Sequence, residues 1–212
     1  MMNEKLQDYI DKLIADRPAL FQEMELFAKE NGVPIMEPAG MEALLQLLRI
    51  HQPKTILEVG TAIGYSALRM AEALPDTIIT TIERDEERYR LACKYISMAN
   101  KESQISVING DALEVEEDVK QHGPFDAIFV DAAKGQYKRF FEMYSNFLSN
   151  GGLMITDNVL FKGLVYEGEI ESRRLRSLVK KINEFNSWLA NNPEFHTVIL
   201  PVGDGVAVSI KR

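Results

Sequence analysis

A single cysteine, Cys93, in a chain of 212 residues excludes an internal disulfide and any zinc site built on several thiolates. A reducing, cytoplasmic setting is the expectation that follows. Histidine is nearly as scarce. His51, His122 and His196 fall beside expected strand or helix ends, with no nucleophile or metal spacing around them. Long apolar runs are missing too, and nothing approaches the roughly 18 residues of a membrane span. The opening Met1-Met2-Asn3-Glu4-Lys5 lacks the basic start and apolar stretch of a secretory signal. Nor is there an excess of positive charge: 24 basic residues against 32 acidic ones leave −8. Over the whole chain that argues against a general nucleic-acid binder, although a local basic face would override it. What remains is 46% apolar and 26% charged, without repeats or long linkers. Such a chain fits one α/β domain with a sizeable core.

Patterning divides it into helices at residues 1–52 and a core at 53–212. Leu6, Tyr9, Ile10, Leu13 and Ile14 follow the spacing of a helix with one buried stripe. A second helix starts near Pro18 and stops at Asn31-Gly32, and a third places Met41, Leu44, Leu45 and Leu48 on one face. Short apolar runs then alternate with helical segments. Strands are expected at Thr55–Val59, Thr77–Ile82, Ile105–Ile108, Phe125–Val130 and Leu153–Thr156, with helices near 64–73, 85–100, 112–121 and 136–148. That order implies βαβ crossovers and a parallel sheet covered on both faces. A long polar helix from about Ile170 to Asn191 precedes Phe195–Leu200, a Gly203-Asp204-Gly205 turn and Val206–Ile210, which reads as an antiparallel hairpin. The expected fold is a Rossmann-like, doubly wound seven-stranded sheet closed by that hairpin.

Chemistry gathers at the strand ends. The first strand runs into Glu58-Val59-Gly60-Thr61-Ala62-Ile63-Gly64-Tyr65-Ser66, where glycine permits a tight turn and the next helix offers free N–H groups. The Gly-x-x-x-Gly spacing departs from the dinucleotide fingerprint. Glu83 closes the second strand 23 residues after Gly60, near the roughly 20-residue offset of a ribose-binding acid. Gly110-Asp111-Ala112 ends the third, placed to bracket an adenine. Each has a plainer reading, since acids commonly cap the following helix. Three in register favour a nucleoside site. Asp131-Ala132-Ala133-Lys134 and Asp157-Asn158 end the fourth and fifth strands. Neighbouring strand ends bring together three oxygen donors without histidine or cysteine, which suits a hard cation, Mg²⁺ first. The plainer alternative is a turn and a cap.

Together with Pro201-x-Gly203-Asp204-Gly205, these motifs make the chain from about Met36 onward resemble the class I, metal-dependent O-methyltransferases, the catechol and caffeoyl-CoA O-methyltransferase family. The resemblance implies S-adenosylmethionine as donor. It places the methionine carboxylate at Ser66 and the Gly60 loop, a cofactor contact at Met36, and the ribose on Glu83. It counts Glu58 and Asp131 among the cofactor-binding residues, with the adenine near Asp111 and Ala112. Asp131, Asp157 and Asn158 carry over as metal ligands and Lys134 as the residue that helps deprotonate the acceptor, with Lys134 and Asp131 counted as the catalytic residues. Pro34-Ile35-Met36-Glu37-x-Ala39-Gly40-Met41 and Asp157–Val165 further resemble a bacterial subgroup that methylates 5-hydroxyuridine at the tRNA wobble position.

Charge distribution permits an RNA substrate. Residues 134–139 hold Lys134, Lys138 and Arg139 and no acid. Residues 162–181 hold Lys162, Arg173, Arg174, Arg176, Lys180 and Lys181 against Glu167, Glu169 and Glu171. Lys162, Arg173, Arg174 and Arg176 are the candidate RNA contacts, although a run such as 173–181 is usually a solvated helix face. The rival readings are a small-molecule catechol or hydroxycinnamoyl O-methyltransferase and a non-catalytic S-adenosylmethionine-binding module. The N-terminal helices are expected either to form a homodimer or to cap the site. Cys93 and Trp188 are read as core packing, and Glu114, Glu116, Glu117 and Asp118 as an exposed first turn.

Overall fold

The structure, a computed structural model, describes residues 4–166 and 170–212, without the side chains of Glu4, Gln7 and Asp8. Met1, Met2 and Asn3 of the opening segment, and Glu167 and Glu169 of the basic stretch, lie outside the described residues.

Five parallel strands form the frame: β1 (Thr55–Val59), β2 (Ile78–Glu83), β3 (Ile105–Asn109), β4 (Phe125–Val130) and β5 (Leu148–Thr156). They are followed by β6 (Phe195–Leu200) and β7 (Val206–Lys211), and the order across the sheet is β3-β2-β1-β4-β5-β7-β6. β7 runs antiparallel to both β5 and β6, so the seven-stranded, hairpin-closed sheet is as expected. Alternation along the strands feeds two cores. Ile56, Phe129 and Ile155 face one layer, while Leu57, Ile128 and Met154 face the other. The central strands β1 and β4 are buried on both faces, so they read as nearly continuous apolar runs.

The first layer is built by α2 (Ala19–Asn31), α3 (Pro38–His51), α4 (Tyr65–Ala73) and α5 (Glu86–Met98), after a short α1 (Glu4–Asp11). α2 ends on Gly32 at φ 63, a left-handed turn that glycine adopts without strain. Asp85 caps α5 by accepting from the Arg88 N–H. α2 docks through Phe21, edge-on to Tyr65 at 6.0 Å, and through Glu25, which accepts from the Tyr65 hydroxyl at 2.6 Å and from Arg17 at 2.8 Å. The second layer holds α6 (Glu116–Lys120), α7 (Tyr137–Tyr144) and α8 (Arg173–Ala190), knitted by Phe141, Phe185, Trp188 and Phe195.

Several expectations are corrected. The N-terminal stripe is not buried: Leu6, Tyr9, Ile10 and Leu13 are 55%, 61%, 40% and 67% exposed. The helix stops at Asp11, so Leu13 and Ile14 fall outside it, and of the five stripe residues only Ile14 is half-buried. Phe21, Met24 and Ala28 of α2 bury themselves instead. The helix expected at 112–121 shrinks to five residues. Asp111 takes the preceding backbone into a turn, its side chain accepting from Leu113 N–H and its carbonyl from Glu114 and Val115. β5 starts five residues early, at Leu148, across a register shift against β4. Cys93 is half-buried rather than in the core. Among the described residues no helix is long and apolar enough to cross a membrane.

Candidate active site

The sheet changes direction of winding between β1 and β4, the place where doubly wound folds open a crevice above their strand ends. A cavity of about 310 Å³ lies there, lined by the Gly60–Ala62 loop, Ser66, Glu83, Asp111 and Ala112. Gly60 is obligatory for this closeness. Its φ is 107, and a Cβ would stand 2.1 Å from the Asp131 carbonyl oxygen. Glu83 holds the loop in shape, accepting from Ala62 N–H and Asp85 N–H, each at 2.8 Å. Asp111 faces Arg84 at 3.6 Å at the rim. The three nucleoside candidates Glu83, Asp111 and Ala112 are therefore brought to one wall.

Glu58 is placed differently from the others. It is fully buried beneath the loop and does not line the cavity. Its carboxylate accepts from the hydroxyls of Ser66 and Thr81, and Thr81 is itself 2.6 Å from the Thr61 hydroxyl. Burial pushes the Glu58 carboxyl up to about 7, with the two hydroxyls pulling the other way. Glu58 thus reaches the cavity through Ser66 rather than by contact.

A second cavity, also about 310 Å³, adjoins the first and shares Pro34, Ile35, Met36 and Lys134 with it. The segment between α2 and α3 therefore forms a common wall, which gives the N-terminal helices a place at the site. Asp157 and Asn158 line this chamber, along with Glu37, Phe161, Lys162 and Asp204. Asp157 is 3% exposed, and burial, then Asp131, raises its carboxyl to about 8. Asp131 is raised as well, by burial and then by Asp204, with Lys134 opposing. Two desolvated carboxylates that resist ionising side by side, relieved by the Lys134 ammonium at Asp131 and by the Asn158 backbone N–H, then Lys134, at Asp157, suit a further cation of hard character. Among the described residues no three His, Cys, Asp or Glu side chains converge on one point. The available set is two carboxylates and the Asn158 amide, whose nitrogen donates to Asp157. These donors fit a divalent ion of the Mg²⁺ class.

Lys134 Nζ sits 5.7 Å from the Phe161 ring centre. Lys162 is exposed at the second chamber's edge, while Arg173, Arg174 and Arg176 are exposed on α8 and line neither chamber. Arg176 is engaged in closing the α8 start, donating to the carbonyls of Ile170 and Glu171. Even so, α8 returns to the site. A Cβ on Gly135 would lie 3.8 Å from Lys181 Nζ, so the two basic segments, far apart in sequence, meet beside Lys134.

Glu37, Phe161 and Asp204 join the site without being expected there. Asp204 is in plain view within the Gly203-Asp204-Gly205 turn, which from sequence reads as a hairpin and as part of the family motif but gives Asp204 itself no role. The fold swings it over the β5 end, where its carbonyl accepts from Leu160 and Phe161 N–H. Burial, then Asp204, raises Glu37.

Residues 12–212 match the family described as O-methyltransferase. This chain belongs to that family. The O-methyltransferase is 32% identical to a catechol O-methyltransferase from Niastella koreensis, over the full length of both chains. It is 31% identical to caffeoyl-CoA O-methyltransferase 2 of Populus trichocarpa, over 98% of this chain and 89% of the plant protein. Among solved structures, a Staphylococcus aureus protein provisionally described as a caffeoyl-CoA O-methyltransferase superposes with a TM-score of 0.89 at 40% identity, covering 99% of this chain and 98% of the other. A Bacillus cereus O-methyltransferase in complex with S-adenosylhomocysteine gives 0.84 at 25% identity, covering 98% and 97%.

Proposed function

We propose that the O-methyltransferase moves a methyl group from S-adenosylmethionine to one hydroxyl of a small catechol-type acceptor. The observation that carries this reading is the pair of adjoining chambers. One offers nucleoside-type donors, the other an oxygen-rich wall, and Met36 and Lys134 belong to both. The catechol and caffeoyl-CoA names of the relatives support the acceptor class, and the S-adenosylhomocysteine of the Bacillus cereus protein supports the donor.

Each residue has a task in that reaction. Glu83 accepts from the ribose hydroxyls, and the Gly60 loop with Ser66 receives the methionine end. Asp131, Asp157 and Asn158 would hold a divalent ion, which when bound favours the ionised form of the acceptor hydroxyl. Lys134 Nζ, in its neutral amine form, is placed to take that hydroxyl's proton and become the ammonium. The oxygen lone pair then forms a bond to the methyl carbon as the carbon–sulfur bond breaks, and its electrons stay on sulfur. Walls from Met36 and Phe161 exclude water and align the two partners, an effect worth roughly 7–11 kcal/mol in well-oriented reactions.

A second reading is 5-hydroxyuridine in tRNA, where the 5-hydroxyl and O4 pair as a catechol's oxygens do. It is favoured by one observation, the meeting of the 134–139 and 173–181 basic segments beside Lys134. Mass spectrometry of products from a dihydroxyphenyl acceptor and from hydroxyuridine-containing tRNA, each with Mg²⁺ and with excess chelator, tests both. The expected result is chelator-sensitive monomethylation of the small acceptor. Methylation of tRNA alone would install the second reading instead, and turnover undiminished by chelator would remove the ion.

A further inference from the structure

Around the β5 end the backbone is held in a conformation that side chains rarely adopt. Asn158, Phe161 and Lys162 all have positive φ, at 63, 44 and 53, within five consecutive residues. Such clusters persist only where the surroundings over-determine them. Part of the restraint comes from the β6–β7 turn: Val159 N–H donates to the Gly205 carbonyl at 3.0 Å, and Leu160 and Phe161 N–H to that of Asp204. The rest comes from two side chains outside the turn. The Tyr137 hydroxyl donates to the Asp157 carbonyl at 2.9 Å, and Asn186 Nδ2 donates to the Val159 carbonyl at 2.8 Å. Those carbonyls flank Asn158 on either side.

We infer that Asn186, on the inner face of α8, is a positioning residue for the acceptor chamber. Together with Tyr137, it fixes the carbonyls on either side of Asn158 and so aims the 157–163 segment. The inference rests on the proposed role of Asn158 and Asp157 in the second chamber. Asn186 is an unusual choice for mere packing. Its Oδ1 is the one buried side-chain nitrogen or oxygen among the described residues that lacks a hydrogen-bond partner. A residue selected for stability alone would not leave a buried acceptor unmatched. One turn earlier, Asn183 makes a similar bond to the Val165 carbonyl at 2.9 Å but is exposed, which supplies an internal comparison. Tyr137 is packed against Phe185 at 5.5 Å, so Tyr137→Phe removes its hydroxyl with the ring left in place.

The test uses the full chain as Asn186→Leu, Tyr137→Phe and, for comparison, Asn183→Ala. Hydrogen exchange of the amides at 158–163 is read alongside the melting curve, S-adenosylmethionine affinity and acceptor kcat/KM. In Asn186→Leu and Tyr137→Phe, exchange at 158–163 should accelerate about ten-fold, the scale of one missing hydrogen bond. Acceptor kcat/KM should fall by at least that factor, with donor affinity unchanged. Asn183→Ala should do neither. Asn186→Leu should also melt no more than a few degrees from wild type, because loss of the Val159 carbonyl's donor is partly offset by removal of the unmatched Oδ1. Unaltered exchange at 158–163 in both variants overturns the inference whatever the acceptor proves to be. Acceleration with donor affinity falling in parallel overturns it too, since that reports general loosening. If wild type methylates no dihydroxyphenyl compound, the functional reading fails, and the exchange result still decides the role of Asn186.

Discussion

Glu58 and Glu83 lie on adjacent strands and divide the work of one cavity. Glu83 faces it, whereas Glu58 acts from beneath through Ser66 and Thr81. Removing the ribose acceptor should therefore damage donor binding, while removing the acceptor-side base should not. Calorimetry with S-adenosylmethionine should show a large loss for Glu83→Ala and a near-normal value for Lys134→Ala, and equal losses would contradict the division. Glu58 also leaves a mark on stability. Its carboxyl rises from the ordinary 4.5 to about 7 on folding. Between those values the folded chain keeps a proton that the unfolded chain has released. Stability therefore falls as pH rises through that window, and the loss is complete above it, on the order of a few kcal/mol. Glu58→Gln stays neutral and still accepts a hydroxyl. Its melting temperature should decline less between pH 5 and 7 than that of wild type, measured side by side in the same buffers so that Asp131 and Asp157 contribute equally to both. An unchanged slope would show that Glu58 is not the titrating group.

Elements differ in how openly the sequence announces them. β1 to β5 are legible because strands covered on both faces must be continuously apolar, and β1, β2 and β4 match their expected ends within a residue. The α1 stripe misleads because spacing reports an apolar face and not what covers it. Asp131 with Lys134 and Asp157 with Asn158 are visible as two strand-end pairs, and they come near one another because β4 and β5 pair side by side, as β3 and β4 do not. Asp204, Tyr137 and Asn186 cannot be read in this way, because their proximity depends on where the hairpin and α8 fold back. α8 combines both situations: its basic run is visible in the sequence, whereas its approach to Gly135 is not. If that face holds RNA, Arg173→Ala, Arg174→Ala and Arg176→Ala combined should weaken tRNA binding. The salt dependence should flatten by up to about 0.9 in log–log slope for each phosphate that is no longer neutralised. Filter binding at two salt concentrations measures this, and an unchanged slope would exclude the face.

At the scale of the molecule, two adjoining chambers divide the strand ends between them. The ends of β1, β2 and β3, with Asp131 after β4, line the cavity proposed for the donor, while the β5 end and the β6–β7 turn line the chamber proposed for the acceptor. They share only a narrow wall, so the two halves should fail separately. Asp157→Ala examines that claim most directly, since Asp157 lines the acceptor chamber and not the donor cavity. Its removal leaves one carboxylate, Asp131, with a neutral amide to attract a hard cation. The measurement is the initial rate of methyl transfer to a dihydroxyphenyl acceptor at saturating Mg²⁺, with S-adenosylmethionine affinity and the melting curve taken on the same protein. The account predicts a folded variant that binds S-adenosylmethionine within a few-fold of wild type and turns over at least about a hundred-fold more slowly, the scale of one missing electrostatic contribution to the transition state. A folded Asp157→Ala protein that methylates the acceptor at the wild-type rate would contradict it.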